Sequence, residues 1–224
     1  MLAKNGFYPR GTKDDLRVIS FGIPRSGSTF IYQVLCDLFA EGVAKTHGYM
    51  DKKNVPVVMT YRDLRDCILS LWLVRGGGTP IPHKKINWIW LHEVKPSYEA
   101  LRRYEDERSK TYGNATFAML RYEEFTTRPM QIWAHINPAI VPMPSLEGTG
   151  RQEAIVAAHS KEKNAEIAKQ YKGFGQYDRE SHIHGNHMAG GGIGAWQQNA
   201  DCTGRQILTE LTREANEHLG YKVA

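Results

Sequence analysis

The sequence predicts an α/β fold in which a parallel sheet is flanked by helices in a three-layer architecture. Apolar runs rich in β-branched residues alternate with segments of helical periodicity, and this alternation is typical of parallel sheets covered on both faces. The composition, with 41% hydrophobic and 24% charged residues, fits a globular protein. Because the 224 residues contain no internal repeat and no linker, we expect a single domain spanning residues 1–224.

Four strands and the helices between them can be placed from these patterns. The predicted strands are Val18–Gly22, Val43–His47, Val55–Tyr61 and Thr116–Leu120. The predicted helices are Gly27–Phe39, Leu64–Val74, Ile86–Lys110 with a break at Pro96, Thr127–Ile136, Arg151–Tyr171 and Gln197–Leu219. Residues 75–83 and the glycine- and histidine-rich residues 173–195 are predicted to be loops.

The segment VISFGIPRSGSTF, residues 18–30, predicts a phosphate-binding loop. An apolar strand leads through a turn into a helix, so that backbone N–H groups and the positive end of the helix dipole converge. The spacing Gly22-x4-Gly27 matches the nucleotide-binding P-loop pattern G-x-x-x-x-G-K-[ST], but Ser28 replaces its lysine. Arg25 is the cation within the loop. The alternative is a plain strand–helix connection whose glycine and serine residues only shape the turn.

A second candidate anion site follows the third predicted strand. Arg62 closes this strand, and Ser70 lies eight positions later, two turns into the next helix. Their guanidinium and hydroxyl groups can converge on one anion. The alternative is a helix start capped by Asp63 or Asp66, with Ser70 as an ordinary helical serine.

The tripeptide Lys45-Thr46-His47 follows a short apolar run and ends the second predicted strand. A histidine at a strand end beside a ligand cleft can act as a general base, because its ordinary pKa lies near neutrality. The alternative is a structural or exposed histidine, since the chain has nine.

Together these segments resemble the 3′-phosphoadenosine 5′-phosphosulfate (PAPS)-dependent sulfotransferases. The 5′-phosphosulfate loop of that family, P-K-S-G-T-T-W, is matched by Pro24-Arg25-Ser26-Gly27-Ser28-Thr29-Phe30, and its K-T-H tripeptide by Lys45-Thr46-His47. Its 3′-phosphate arginine and serine are matched by Arg62 and Ser70. Its L-x-Y-E-[DE] segment is matched by residues 120–124, and its R-K-G-x-x-G-x-W segment by residues 191–196. The five matches follow the family's order.

The resemblance implies a single sulfotransferase domain that moves a sulfuryl group from PAPS to a small-molecule hydroxyl acceptor, such as a phenol, and releases PAP. It implies His47 as general base, with Lys45, Arg25 and Ser70 as the other catalytic residues. The implied nucleotide-binding residues are Arg25, Ser26, Gly27, Ser28, Thr29, Phe30, Arg62, Ser70, Tyr122, Gly191, Gly194 and Trp196. Within this set, Phe30 replaces the family's tryptophan as a ring for the adenine, and Tyr122 would lie beside the same base.

One departure and one additional feature concern the glycine-rich segment. Ala189 and Gly190 stand where the family has an Arg-Lys pair that grips the 3′-phosphate. His182, His184 and His187 have no accompanying carboxylate or cysteine constellation, so we expect no metal site. We instead interpret residues 173–195 as a lid loop that orders over the nucleotide.

Charge and composition narrow the class of partner. The net charge of +5, from 29 basic and 24 acidic residues, favours an anionic ligand, and no nucleic-acid-binding signature appears. The odd cysteine count and its spacing (Cys36, Cys67, Cys202) are typical of reduced thiols in a cytoplasmic protein. Neither a leader-like segment nor a membrane-spanning apolar run is present in this sequence, so no membrane span is expected.

Two other functions remain open. A P-loop-like kinase or NTPase would need a lysine where Ser28 stands and an acidic Mg²⁺ ligand. A non-catalytic nucleotide-binding module would keep the loop but would not need His47. The sequence indicates neither the acceptor nor the oligomeric state.

Overall fold

The structure, a computed structural model, describes residues 8–10, 15–52, 54–111, 117–140, 150–188 and 191–223. Within these residues five strands form one sheet, in the order β1-β3-β2-β4-β5. The strands are β1 (Tyr8–Arg10), β2 (Val18–Gly22), β3 (Val43–Thr46), β4 (Val57–Tyr61) and β5 (Phe117–Arg121). Strands β2 to β5 are parallel, whereas β1 pairs antiparallel with β3. The predicted α/β class, with a parallel sheet flanked by helices, is confirmed; the antiparallel edge strand β1 was not predicted.

Ten α-helices lie within the described residues. They are α1 (Ser28–Phe39), α2 (Leu64–Val74), α3 (His83–Ile89), α4 (Lys95–Thr111), α5 (Tyr122–Thr127), α6 (Ile132–Ala139), α7 (Gly150–Ala158), α8 (Lys161–Ala168), α9 (Ala195–Asn199) and α10 (Cys202–His218). A π-helical turn, Trp90–Val94, joins α3 to α4, and a 3₁₀ turn, Pro129–Gln131, joins α5 to α6. The chain divides into two compact units. Unit 1 comprises Met1–Tyr61 and Glu99–Ser160, and unit 2 comprises Arg62–Tyr98 and Lys161–Ala224.

Unit 1 contains the whole sheet and its main apolar core. All five residues of β2 are buried, which is why this strand is mainly apolar rather than alternating, with Ser20 as the one polar side chain in it. Helix α1 packs on β2 and β3, and α6 packs on β5. The core side chains include Val18, Ile31, Leu35, Val58, Leu120, Phe125, Ile132 and Trp133. This packing fixes the start of α1 against the end of β2, where the predicted phosphate-binding loop lies.

Unit 2 is helical and is built around α2. Helix α10 packs on α2 and α3, and α9 packs on α2. The fully buried Asn216 of α10 accepts a hydrogen bond from the Leu64 N–H and donates one to Asp63 Oδ1. Asp63 also caps α2 by accepting from the Arg65 N–H, at 3.0 Å. The first turn of α2 is therefore held by buried polar contacts.

Several predicted helix boundaries are wrong, each for a local reason. Pro96 does not break the helical path. It is the second residue of α4, directly after the π turn, where the hydrogen-bond pattern changes and a residue without an N–H donor is tolerated. The helix predicted at Thr127–Ile136 starts later, since Pro129 forces Arg128 out of helical geometry.

The two last predicted helices are each divided. Arg151–Tyr171 is split into α7 and α8, and between them His159 contacts Asp37 Oδ2 at 2.8 Å. Gln197–Leu219 is interrupted at Asp201, which starts α10 by accepting a hydrogen bond from the Gly204 N–H. Within the described part of the chain, none of the helices is both long and apolar enough to cross a bilayer.

Candidate nucleotide-binding and catalytic site

The loop between β2 and α1 has the backbone geometry of an anion cradle. Arg25 and Gly27 are both left-handed, with φ of 70° and 81°. Left-handed residues in a turn direct successive N–H groups towards one side, which makes a concave anion-binding surface. For Arg25, which is not a glycine, this conformation costs about 1–2 kcal/mol, and such local strain concentrates at functional sites.

The start of α1 adds positive potential to this loop. Gly27 is the N-cap, no side chain caps the helix, and its first turn contains no acidic residue. The N–H groups of a first helical turn, when no side chain accepts from them, favour an anion. The loop therefore fits a phosphate or sulfate group.

Ser26 holds the shape of this loop. Its fully buried hydroxyl bonds to the Thr60 carbonyl, at 3.0 Å, and to Thr60 Oγ1, at 2.7 Å. Its N–H donates to the Ile23 carbonyl at 3.0 Å. These contacts tie the loop to β4, the neighbouring strand.

An aromatic cluster lies against the same loop. Phe30 stacks on Phe125, with ring centroids 5.9 Å apart, and Tyr122 meets Phe125 edge-on at 5.6 Å. A Cβ atom at Gly27 would lie 2.6 Å from Phe125 Cζ, so this position has no room for a side chain. Both predicted adenine-binding residues, Phe30 and Tyr122, therefore share one partner, Phe125, which the sequence analysis missed.

Lys45 is a buried cation directed at α1. Its Nζ donates to Thr29 Oγ1 at 2.6 Å, and its side chain is 5% exposed. Burial, reinforced by the nearby charge of Arg25, lowers the pKa of Lys45 from 10.5 to about 7. The amine is thus balanced between its charged and neutral forms near neutral pH.

His47 is oriented by the last carbonyl of β2. Its Nδ1 lies 2.5 Å from the Gly22 carbonyl oxygen, which can only accept, so Nδ1 carries the proton. Burial, together with the charge of Lys45, lowers the pKa of His47 to about 4. At neutral pH the imidazole is therefore uncharged, and Nε2 is the nitrogen with a lone pair.

Helix α4 holds the segment that follows His47. The Met50 N–H donates to the Tyr104 hydroxyl at 2.8 Å, and the Tyr49 hydroxyl donates to Glu107 Oε2. Arg103 covers the Tyr49 ring, with Cζ 3.8 Å from its centroid. Sequence reasoning missed these contacts; the only signal was a tyrosine at an apolar position of α4, whose hydroxyl needs a partner when buried.

In unit 2, Arg62 and Asp66 form a buried ion pair, with Nη2 and Oδ2 3.3 Å apart. Arg62 Nη2 also donates to the Gly192 carbonyl at 2.6 Å. Asp66 Oδ2 accepts from the Gly194 N–H at 2.7 Å, and Oδ1 from the Trp196 N–H at 3.1 Å. Burial raises the pKa of Asp66, and Arg62 opposes this shift.

The remaining predicted residues of unit 2 lie on or beside α2. Ser70 is fully buried within α2. Gly191 is left-handed, and a Cβ there would lie 3.6 Å from Leu73 Cδ1 of α2. The Trp196 ring lies under the Arg65 guanidinium, whose Cζ is 4.2 Å from the ring centroid.

The predicted site residues thus fall into two sets. Unit 1 brings together the loop, Lys45, His47 and the pair Phe30 and Tyr122; unit 2 brings Arg62 together with residues 191–196. Ala189 and Gly190, the departure from the family pattern, lie outside the described residues.

The histidine-rich segment forms contacts of its own. The rings of His184 and His187 meet with centroids 4.7 Å apart, and Phe174 packs on His184 at 4.5 Å. Among the residues with described positions, no group of three or more His, Cys, Asp or Glu side chains is arranged to hold a metal ion.

Comparison with solved structures identifies the fold. The chain is similar to mouse sulfotransferase SULT7A1, whose crystal structure is a complex with PAP, with a TM-score of 0.64. The match covers 92% of this chain and 85% of the mouse chain, at 12% sequence identity. No protein-family model and no curated protein sequence matches the chain. The fold is that of a sulfotransferase.

Proposed function

We propose that this protein is a PAPS-dependent sulfotransferase that transfers a sulfuryl group to the hydroxyl of a small-molecule acceptor, with His47 as the general base. The single observation that carries the proposal is the association of an anion cradle with a buried lysine and an oriented, neutral histidine. The fold similarity to a PAP-bound sulfotransferase supports it. We also propose a cytoplasmic location, which suits the odd number and the spacing of the three cysteines in the sequence.

The loop residues would hold the 5′ end of the nucleotide. In the proposal, the N–H groups at the start of α1 and the side chain of Arg25 bind the 5′-phosphosulfate, and Phe30 and Tyr122 contact the adenine. Arg62, Ser70, Gly191, Gly194 and Trp196 would bind on the 3′-phosphate side. When bound, PAPS supplies the sulfuryl group and leaves as PAP.

His47 would remove the proton of the acceptor hydroxyl. Its Nδ1–H is committed to the Gly22 carbonyl, so proton transfer falls to Nε2. Positive charge on Lys45 is among the causes that lower the pKa of His47. An anion at the loop offsets that charge and so makes the imidazole a stronger base when the nucleotide is present.

Lys45 and Arg25 would stabilise the negative charge that develops on the leaving phosphate. An anion bound at the loop raises the pKa of Lys45 from about 7 towards its ordinary value, so the amine becomes charged when the loop is occupied. Preorganised charges of this kind typically contribute about 10²–10³ in rate each. No general acid is needed for a phosphate leaving group.

Ligand-dependent melting is the first test. At about a hundred times its dissociation constant, a specific ligand stabilises the folded state by about 2.7 kcal/mol. We expect PAP to raise the melting temperature clearly, while ADP and ATP at the same concentration have little effect. Equal shifts from ATP and PAP would overturn the proposal and favour the kinase or NTPase alternative.

Turnover is the second test. PAPS is supplied with a panel of phenols, sugars and alkyl alcohols, and release of PAP is followed. Acceptor-dependent release supports the sulfotransferase. PAP binding without release on any acceptor would indicate the non-catalytic nucleotide-binding module, and a His47→Gln variant separates enzymatic release from background hydrolysis.

A further inference from the structure

Asp66 is a buried carboxylate for which the proposed reaction has no direct use. It is 1% exposed, yet it contacts three groups in unit 2: the Arg62 guanidinium and the N–H groups of Gly194 and Trp196. Burying a carboxylate is costly unless it is paired and hydrogen-bonded, and these contacts use both of its oxygens. Its placement therefore requires an explanation.

Capping of α2 does not explain it. Asp63 is the N-cap of α2 and accepts from the Arg65 N–H, and its carboxylate also pairs with the Arg65 guanidinium at 2.7 Å. Asp66 lies in the first turn but points its hydrogen bonds out of α2, into the segment Gly191–Trp196. The two carboxylates of this turn thus have separate tasks.

The contacted segment is shaped to receive this carboxylate. Gly194, which is left-handed with φ 72°, is the N-cap of α9. As a glycine it has no side chain that could accept hydrogen bonds from the first turn of that helix. Asp66 takes that place from another helix. The same segment also contacts the other member of the ion pair, since the Gly192 carbonyl accepts a hydrogen bond from Arg62 Nη2.

We propose that Asp66 is a positioning residue: it anchors the glycine segment 191–196 to α2 and orients the Arg62 guanidinium for a 3′-phosphate. The second part rests on the proposed function. A carboxylate 3.3 Å from Arg62 also repels an incoming phosphate. The charge of Asp66 therefore weakens phosphate binding, whereas its orientation of Arg62 strengthens it. Removing the charge alone would tighten anion binding, whereas losing the orientation weakens it.

Asp66→Asn and Asp66→Glu distinguish these effects. Asparagine removes the charge; glutamate keeps it and shifts it by one methylene, and it is the second variant should asparagine fail to fold. Asp63→Asn is the matched control, since Asp63 is a buried carboxylate of the same turn whose oxygens bond to Arg65 and Asn216. Because Arg65 lies over the Trp196 ring, the comparison with this control uses the Gly194 amide.

The anchoring is tested without nucleotide, by amide hydrogen exchange of Gly194 and Trp196. Exchange at Gly194 should be at least about tenfold faster in the Asp66 variants than in wild type, and unchanged in Asp63→Asn. Asparagine leaves one side-chain oxygen for two N–H groups, and glutamate displaces both oxygens by one methylene, so each variant weakens these hydrogen bonds. Wild-type exchange rates in both Asp66 variants would overturn the anchoring.

The orientation is tested by comparing PAP with AMP, which lacks the 3′-phosphate. We expect both Asp66 variants to bind PAP about tenfold more weakly, the lower range for a charge-assisted hydrogen bond, with AMP affinity changed less than about threefold. Equal losses for both ligands, or tighter PAP binding, would overturn it. If the wild-type protein binds no PAP, the proposed function fails, and the exchange measurement still judges the anchoring.

Discussion

Replacing Lys45 with methionine should remove a large part of the pH dependence of folding stability. The pKa of this amine is about 7 in the folded protein and 10.5 as the model value for an unfolded chain. Between these values the unfolded state binds more protons, so the free energy of unfolding rises with pH. In the folded state the charged amine is the disfavoured form, and raising the pH relieves that penalty.

The magnitude follows from the same two values. One pKa unit corresponds to about 1.4 kcal/mol, so the interval from about 7 to 10.5 corresponds to about 4–5 kcal/mol in total. Between pH 7.5 and 9.5, the wild-type protein should gain about 2–3 kcal/mol relative to Lys45→Met. At pH 7 the variant should be the more stable one, because methionine is buried without a desolvation penalty.

Urea unfolding at pH 7.5, 8.5 and 9.5, under reducing conditions, measures this difference. Lys169→Met is the control, because this side chain is 70% exposed and pairs with Glu166, which is also exposed. Its stability should follow the wild type at each pH. If the free energies of unfolding of wild type and Lys45→Met change with pH in the same way, the pKa of Lys45 is not lowered by burial. The proposal that Lys45 gains its charge when the loop binds an anion would then be refuted as well.

Five other results are expected. His47→Ala should reduce turnover of an alkyl alcohol by roughly 10²–10⁴, and that of an acidic phenol by less, with PAP affinity nearly unchanged; normal turnover would move the base elsewhere, with His184 and His187 as the next candidates. In wild type, the acid limb of kcat/KM should lie well below pH 6.5, because the pKa of His47 is about 4, and it should vanish in the variant. Gly27→Ala should cost about 2–4 kcal/mol in urea unfolding, from its φ of 81° and the 2.6 Å approach to Phe125, whereas Gly78→Ala, with open space around it, should cost little. Arg62→Ala should weaken PAP binding by about 1.5–3 kcal/mol in calorimetry and leave AMP binding almost intact. Amides of the lid loop, residues 173–195, should exchange more slowly once PAP is bound, apart from Gly194, whose N–H already donates to Asp66; exchange unaffected by PAP would refute the lid.

The sheet and the loop could be predicted because their signals are local. The β2 and β4 runs are buried on both faces and therefore mainly apolar, with Ser20 and Thr60 as polar exceptions, and the bounds of α2 agree with its periodicity. The turn between β2 and α1 could be predicted because left-handed backbone at Gly27 needs a residue type that the sequence shows directly; phosphate binding by this loop stays a prediction.

The supporting contacts could not be predicted because they join residues far apart in the sequence. Ser26 bonds to Thr60, Met50 to Tyr104 and Asp66 to Gly194, and no local pattern indicates these pairs. The path of the helix around Pro96 could not be predicted from a local pattern either. Pro96, which follows a π turn, is predicted to end a helix when only the α-helical period is considered.

The hydrogen bond between His47 and the Gly22 carbonyl links two tasks to one backbone atom. That carbonyl ends the strand from which the anion cradle begins, and it also decides which imidazole nitrogen carries the proton. Any displacement of the loop that moves Gly22 therefore alters the tautomer preference of the histidine, without a change in either side chain. In the proposed reaction, the position of the phosphate cradle and the orientation of the base would therefore depend on the same glycine.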